Sequence, residues 1–115
     1  MSMIDIVLPL PPTANNLFAN RRKGRRVSEQ YEAWRTQAGW ALKQQRPPAI
    51  LGRFDLSLLV PQAMRGDISN RIKAAEDLLV THRLIEDDRH AASVKICRSP
   101  DVEPGTIRII VEPTT

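Results

Sequence analysis

The stretch MRGDISNRIKAAEDLLVTHRLIEDDRH, Met64 to His90, decides how this chain is read. Ile68, Ile72, Ala75 and Leu79 recur at helical spacing and form one apolar stripe, while Asn70, Lys73 and Asp77 project from the other side. Asp67 stands at the start of this helix, where its side chain suits an N-cap, and Asp87 and Asp88 stand just past its end. Carboxylates supply the hard oxygen donors that a divalent metal needs, and a metal at such a site can generate hydroxide or stabilise a leaving oxygen. Asp67, Asp87 and Asp88 converge only if the exit turn folds back along the sheet. In a basic chain that combination points to phosphodiester chemistry.

Strand patterns flank the helix. Upstream, Arg53 to Val60 alternates, with Phe54, Leu56, Leu58 and Val60 on one face, and Pro61 closes it. Downstream, Ala92 to Cys97 places Val94 and Ile96 on one side, and Thr106 to Glu112 follows the turn Asp101 to Gly105. Near the N-terminus Met3 to Leu8 reads as a strand that stops at Pro9, Pro11 and Pro12, which cannot donate to a ladder. Ser28 suits an N-cap for a first helix from Glu29 to Gln45, ended by Pro47 and Pro48. Tyr31, Trp34, Ala38, Ala41 and Leu42 give that helix its stripe, with Tyr31 and Trp34 as core anchors. Trp40 falls off the stripe and reads as a contact for a second subunit or a neighbouring element, ahead of a base-stacking role. Thr13 to Val27 reads as a long loop, and loops of that length in small domains are usually functional or mobile. The expected fold is α+β, a mixed sheet of about four strands covered by two helices in the order β-α-β-α-β-β.

A chain of 115 residues, 42% hydrophobic and 26% charged, makes one domain over 1–115 and is too apolar for disorder. Lys and Arg number 17 against 13 acids, a formal net charge of +4, and the pI near 9.8 flags a nucleic-acid partner. The basic residues gather in NRRKGRR, residues 20–26, where Arg21, Arg22, Lys23, Arg25 and Arg26 surround one glycine. A phosphate-binding segment is the stronger reading there, a solvated loop the weaker. Cys97 is the only cysteine, so no intrachain disulfide forms and a cysteine-based zinc site is disfavoured. Apolar runs fall well short of the ~20 residues that span a bilayer; no membrane association and a cytoplasmic location are expected.

Each acid also has a plainer role. Asp67 can simply cap its helix, and Asp87 with Asp88 can pair with Arg89 or His90 in an exposed turn. Lys73 is an ordinary solvated helix residue unless an anion lies over it. His82 and His90 lack metal-ligand spacing and suit surface or capping roles.

With these residues in view, the chain resembles the RusA family of Holliday-junction resolvases, small endonucleases of bacteria and prophages. LPLPPTANN, the basic segment and VSEQYEAWR are similar to the family's start, and GDISNRIKAAEDLL followed by IEDDRHAASVKI is similar to its central acidic motif. The resemblance covers nearly the whole chain. It implies a homodimer that binds four-way DNA junctions and, with Mg2+ or Mn2+ and no other small-molecule cofactor, cuts two strands symmetrically in recombination and repair. By position, Asp67 and Asp88 match catalytic aspartates and Lys73 the functional lysine. Asp67, Asp87, Asp88 and Ser69 become candidate metal ligands. Asn15, Asn16, Asn70 and the basic residues 21–23, 25 and 26 become candidate DNA contacts. One departure stands out. The family pattern Asp-x-Asp-Asn reads Asp67-Ile68-Ser69-Asn70 here, so a neutral hydroxyl replaces a carboxylate and metal affinity should fall. Asp87, Glu86 or Asp77 can compensate, or Ser69 can hold a metal-bound water. Alternatives from other classes are a weakened or inactive relative that binds branched DNA without efficient cutting, and a basic RNA-associated protein.

Overall fold

The computed structural model describes residues 2–14, 18–21 and 24–114, and the side chains of 19–21 and 24–26 lie outside that description. Period-two burial builds its main sheet. Strand β1 (Ile4–Pro9) buries Ile4, Ile6 and Leu8. The basic segment supplies β2 (Phe18–Arg21) and β3 (Gly24–Val27), followed by helix α1 (Glu29–Gln45). Strand β4 (Phe54–Pro61) buries Phe54, Leu56, Leu58 and Val60, and helix α2 (Ile72–Thr81) leads to β5 (Ala91–Ser99). Strand β6 (Thr106–Pro113) buries Ile107, Ile109 and Val111. The four-stranded order is β1-β6-β4-β5. β6 runs antiparallel to both β1 and β4, whereas β4 and β5 are parallel. A parallel pair needs a crossover, and α2 provides it. The main sheet and its two helices thus follow the expected β-α-β-α-β-β order.

Both helices press on one face of this sheet. α1 begins where Ser28 Oγ accepts the Tyr31 N–H at 3.0 Å and ends at Arg46, in the left-handed region at φ 49° just before Pro47. It buries Tyr31, Trp34, Ala38 and Leu42, while α2 buries Ala74, Ala75, Leu78 and Leu79 in the same core. Cys97 is half-buried in β5. The opposite sheet face is mixed, with Val7, Leu59 and Ile110 among polar side chains, and Arg108 there donates to both Asp5 carboxylate oxygens at 2.8 and 2.6 Å.

Two expectations need correction. The apolar stripe of the second helix is Ala74, Ala75, Leu78 and Leu79 rather than one beginning at Ile68. Ile68 to Arg71 form a separate 3-10 turn, capped by Asp67, and the α-helix proper starts at Ile72. The second correction concerns Thr13 to Val27. Phe18 pairs with Val27 and Arg21 with Gly24, so most of the basic run rides on a two-stranded antiparallel hairpin. Its apolar ends dock it, since the Phe18 ring meets Tyr31 edge-on at 6.2 Å.

The proline-rich segment after β1 is held by two long-range donors. Trp34 Nε1 donates to the Pro9 carbonyl at 2.8 Å, and Arg71 Nη1 donates to the Pro11 carbonyl. LPLPP, the Trp of α1 and the start of α2 are therefore one structural unit despite their separation in sequence. Replacing Trp34 with Phe keeps most of the buried ring but orphans a part-buried carbonyl, which costs about 1–3 kcal/mol. Urea unfolding of Trp34→Phe should show a lower midpoint with an unchanged slope.

Candidate active site

The segment that links β4 to β5 assembles the polar groups. Gly66, at φ 87°, takes a conformation that side chains resist and turns the chain into Asp67. Arg98 of β5 holds that turn, donating from Nε to the Met64 carbonyl at 3.1 Å and from Nη2 to the Gly66 carbonyl at 2.9 Å. No sequence pattern points to Arg98, because its partners are backbone carbonyls more than thirty positions away. Asp67 Oδ1 then accepts the Ser69 N–H at 3.0 Å and the Ser69 hydroxyl at 2.6 Å. The Ser69 hydroxyl, and secondly its N–H, hold the Asp67 carboxyl below the usual carboxylate range. Asn70 is half-buried, and its N–H donates to the Asp67 carbonyl at 3.3 Å.

One turn further, exposed Lys73 pairs with Asp77 at 3.3 Å. Lys73 and Asp77 stand at i and i+4 on one face of α2, and Ser69 precedes them in the 3-10 turn. Beyond α2 the chain returns through Glu86, whose carboxylate accepts the Gly52 N–H at 2.7 Å and stands 4.0 Å from His90 Nδ1. Glu86 thus fastens the Gly52 turn through one carboxylate oxygen. Asp87 caps a short 3-10 turn, Asp88–His90, accepting the Arg89 N–H at 3.0 Å. That N–H, then a hydrogen bond with Asp88, lowers the Asp87 carboxyl.

The exit turn folds back onto α2. Asp77, Asp87 and Asp88 line one hollow together with Arg35 and the hairpin residues Phe18 and Val27. Glu76 is pushed above the ordinary carboxylate range by burial first, and then by the negative charges of Asp88 and Asp77. Sequence reasoning misses Glu76 because it lies beside the apolar stripe and no role attaches to its place within GDISNRIKAAEDLL. Among the described residues no three acidic, His or Cys side chains stand close enough together to hold a metal ion. Asp67 with Ser69, Lys73 with Asp77, and Asp88 with Glu76 make up a polar strip along α2. His82 packs against α1, where a Cβ on Gly39 would meet its Nε2 at 3.3 Å, which accounts for the glycine.

The backbone of Arg21, Arg25 and Arg26 belongs to the hairpin whose base borders the acidic hollow. Asn15, Asn16, Arg22 and Lys23 lie outside the described residues.

Residues 9–112 match the family model described as Endodeoxyribonuclease RusA. The chain belongs to the RusA family. It is 24% identical over 112 residues to the crossover junction endodeoxyribonuclease RusA of Enterobacteria phage HK97, covering 95% of this chain and 93% of that relative. The enzyme of the same name from Escherichia coli K12 is 24% identical over 114 residues, covering 96% of this chain and 95% of its own. The RusA match starts at Pro9, in the segment that Trp34 and Arg71 anchor, and ends inside β6. It therefore takes in the whole polar strip and the basic hairpin. No helix among the described residues is long and apolar enough to cross a membrane.

Proposed function

We propose that this chain is a divalent-metal-dependent endodeoxyribonuclease that resolves four-way DNA junctions, acting as a homodimer in recombination and repair. The observation that carries this reading is the hollow that gathers Asp77, Asp87 and Asp88 beside a basic hairpin, with Lys73 paired to Asp77 on the same helix. Family membership supports the same reaction class. A two-fold dimer suits the substrate, since it would present the same strip to two strands of a pseudo-symmetric junction and so nick them in pairs.

The donor set fits Mg2+, with Mn2+ as a substitute: it offers carboxylate and hydroxyl oxygens and no soft ligand. Crowding of like charge at Glu76, Asp77 and Asp88 is what a cation would relieve. Asp67, Asp87 and Asp88 would hold the metal by being drawn closer together than they stand in this structure, and it would supply activated water and neutralise charge on the leaving oxygen. Ser69 keeps its oxygen lone pairs while its proton goes to Asp67, so it can serve as a neutral ligand or hold a water. Asp77 remains available as the compensating carboxylate. Lys73 moves its ammonium from Asp77 toward the scissile phosphate and offsets charge that builds there. Asn70 and the hairpin cations fix the DNA backbone.

Ser69 favours a second reading, a relative that binds branched DNA but cuts it poorly. Ser69→Asp separates the two. The substitution removes the hydroxyl donor to Asp67 and sets a second carboxylate beside it, a repulsion that only a bound cation relieves. For a disabled enzyme, nicking of a synthetic four-way junction should rise about tenfold or more, which corresponds to ~1.4 kcal/mol. For an enzyme that is already complete, wild type nicks at least as well as Ser69→Asp, and that is the expected outcome.

A further inference from the structure

Trp40 is the most exposed aromatic side chain among the described residues, at 67%, and no neighbouring element packs over it. It stands in a hollow of α1 with Arg35, Thr36, Lys43 and His82, floored by Gly39. This hollow has three cationic or titratable-basic neighbours and no acid. Arg35 lines it, lines the hollow that holds Asp77, Asp87 and Asp88, and lines a third between α1 and α2. The three share wall residues, so they lie side by side between the acidic hollow and Trp40. Glu29 and Glu32 lie on the wall of the middle hollow, toward the N-terminal end of α1, and mark the side that a phosphate backbone avoids.

We propose that the Trp40 face is a second DNA contact, where the indole stacks on an unstacked base or on the open base-pair face at the branch point. This deepens the junction-resolving reading and rests on it. A π-face accepts any base without regard to sequence, and the flanking Arg35 and Lys43 suit the phosphates on either side of that base. A continuous duplex offers no free base face, whereas a branch point does. Stacking at Trp40 therefore adds selectivity for branched DNA, which phosphate contacts alone do not supply. Charge sets this partner apart from a second copy of the chain. An isologous contact centred on Trp40 would bring Arg35 and Lys43 against their own counterparts, while a nucleic-acid strand neutralises them.

The two tryptophans provide the test, because Trp34 is buried at 5% and Trp40 is not. Emission is followed in the wild type and in Trp40→Phe during titration with a four-way junction and with a duplex of the same arm sequence, in EDTA. The wild-type emission should be quenched by the junction, and that of Trp40→Phe should barely change. Trp40→Ala should lose about fivefold or more in junction affinity with duplex affinity unchanged, and Trp40→Phe should keep most of the junction affinity. Junction binding by Trp40→Ala as tight as wild type would overturn the proposal. So would wild-type emission that shifts with protein concentration alone and not with DNA, since a second copy would then cover the face. A wild type that binds no branched DNA would overturn the junction-resolving reading itself, and this proposal with it.

Discussion

Asp67→Asn and Asp88→Asn should each lower junction cleavage by about 100-fold or more, because each removes a charge from the set that holds the cation and a metal supplies several kcal/mol of transition-state stabilisation. The two substitutions are not equivalent structurally. In Asp67→Asn the introduced amide oxygen can still accept the Ser69 N–H and so keep the 3-10 turn capped, which makes this variant a test of charge rather than of fold. Asp88 carries no cap of its own, since Asp87 caps its turn. Thermal unfolding of both variants should therefore stay close to wild type. Junction affinity measured in EDTA should hold or rise, as a negative charge near phosphate has been removed. Loss of binding alongside cleavage would place these residues in structure or recognition instead of chemistry.

Neutralising Arg21, Arg22, Arg25 and Arg26 together should weaken junction binding by about 100-fold or more at low salt. If each arginine meets one phosphate, the slope of log affinity against log salt should flatten by about 3 to 4. A salt titration by fluorescence anisotropy reads both quantities. Duplex and junction should lose affinity in parallel, because phosphate contacts do not read branching. An unchanged slope would remove the hairpin from the interface. The hairpin geometry makes this a clean test: its docking rests on Phe18 and Val27 at the base, and the charged positions lie between them.

The main sheet and both helices are legible because their residues follow simple periods. β4 buries every second side chain, and α1 starts at Ser28 and stops before Pro47 as capping chemistry requires. The hairpin is not legible. Between Phe18 and Val27 the residues are almost all charged or small, so no alternation marks the two strands, and pairing depends on where Phe18 can dock. The start of α2 is misread because Ile68 and Ile72 continue an apolar rhythm through a 3-10 turn that only Asp67 and the Arg98 clamp make necessary. For the site, the acidic residues are visible as residues but not as neighbours. The sequence brackets α2 with Asp67 and Asp88; that Asp88 comes beside Glu76 and Asp77 depends on how the exit segment is tied down by Glu86 and Gly52. Arg98 and Arg71 cannot be read at all, since both act on carbonyls brought near by the sheet.

The polar strip along α2 is assigned to cutting branched DNA, and a mapped cleavage reaction tests that most directly. A synthetic four-way junction with each strand labelled in turn is incubated with the wild type in Mg2+ and, separately, in Mn2+, beside a duplex of the same arm sequences and an EDTA control. The expected result is metal-dependent nicks at symmetry-related positions on two opposing strands of the junction and none on the duplex. Tight junction binding with no nicks in either metal across their concentration ranges would contradict it.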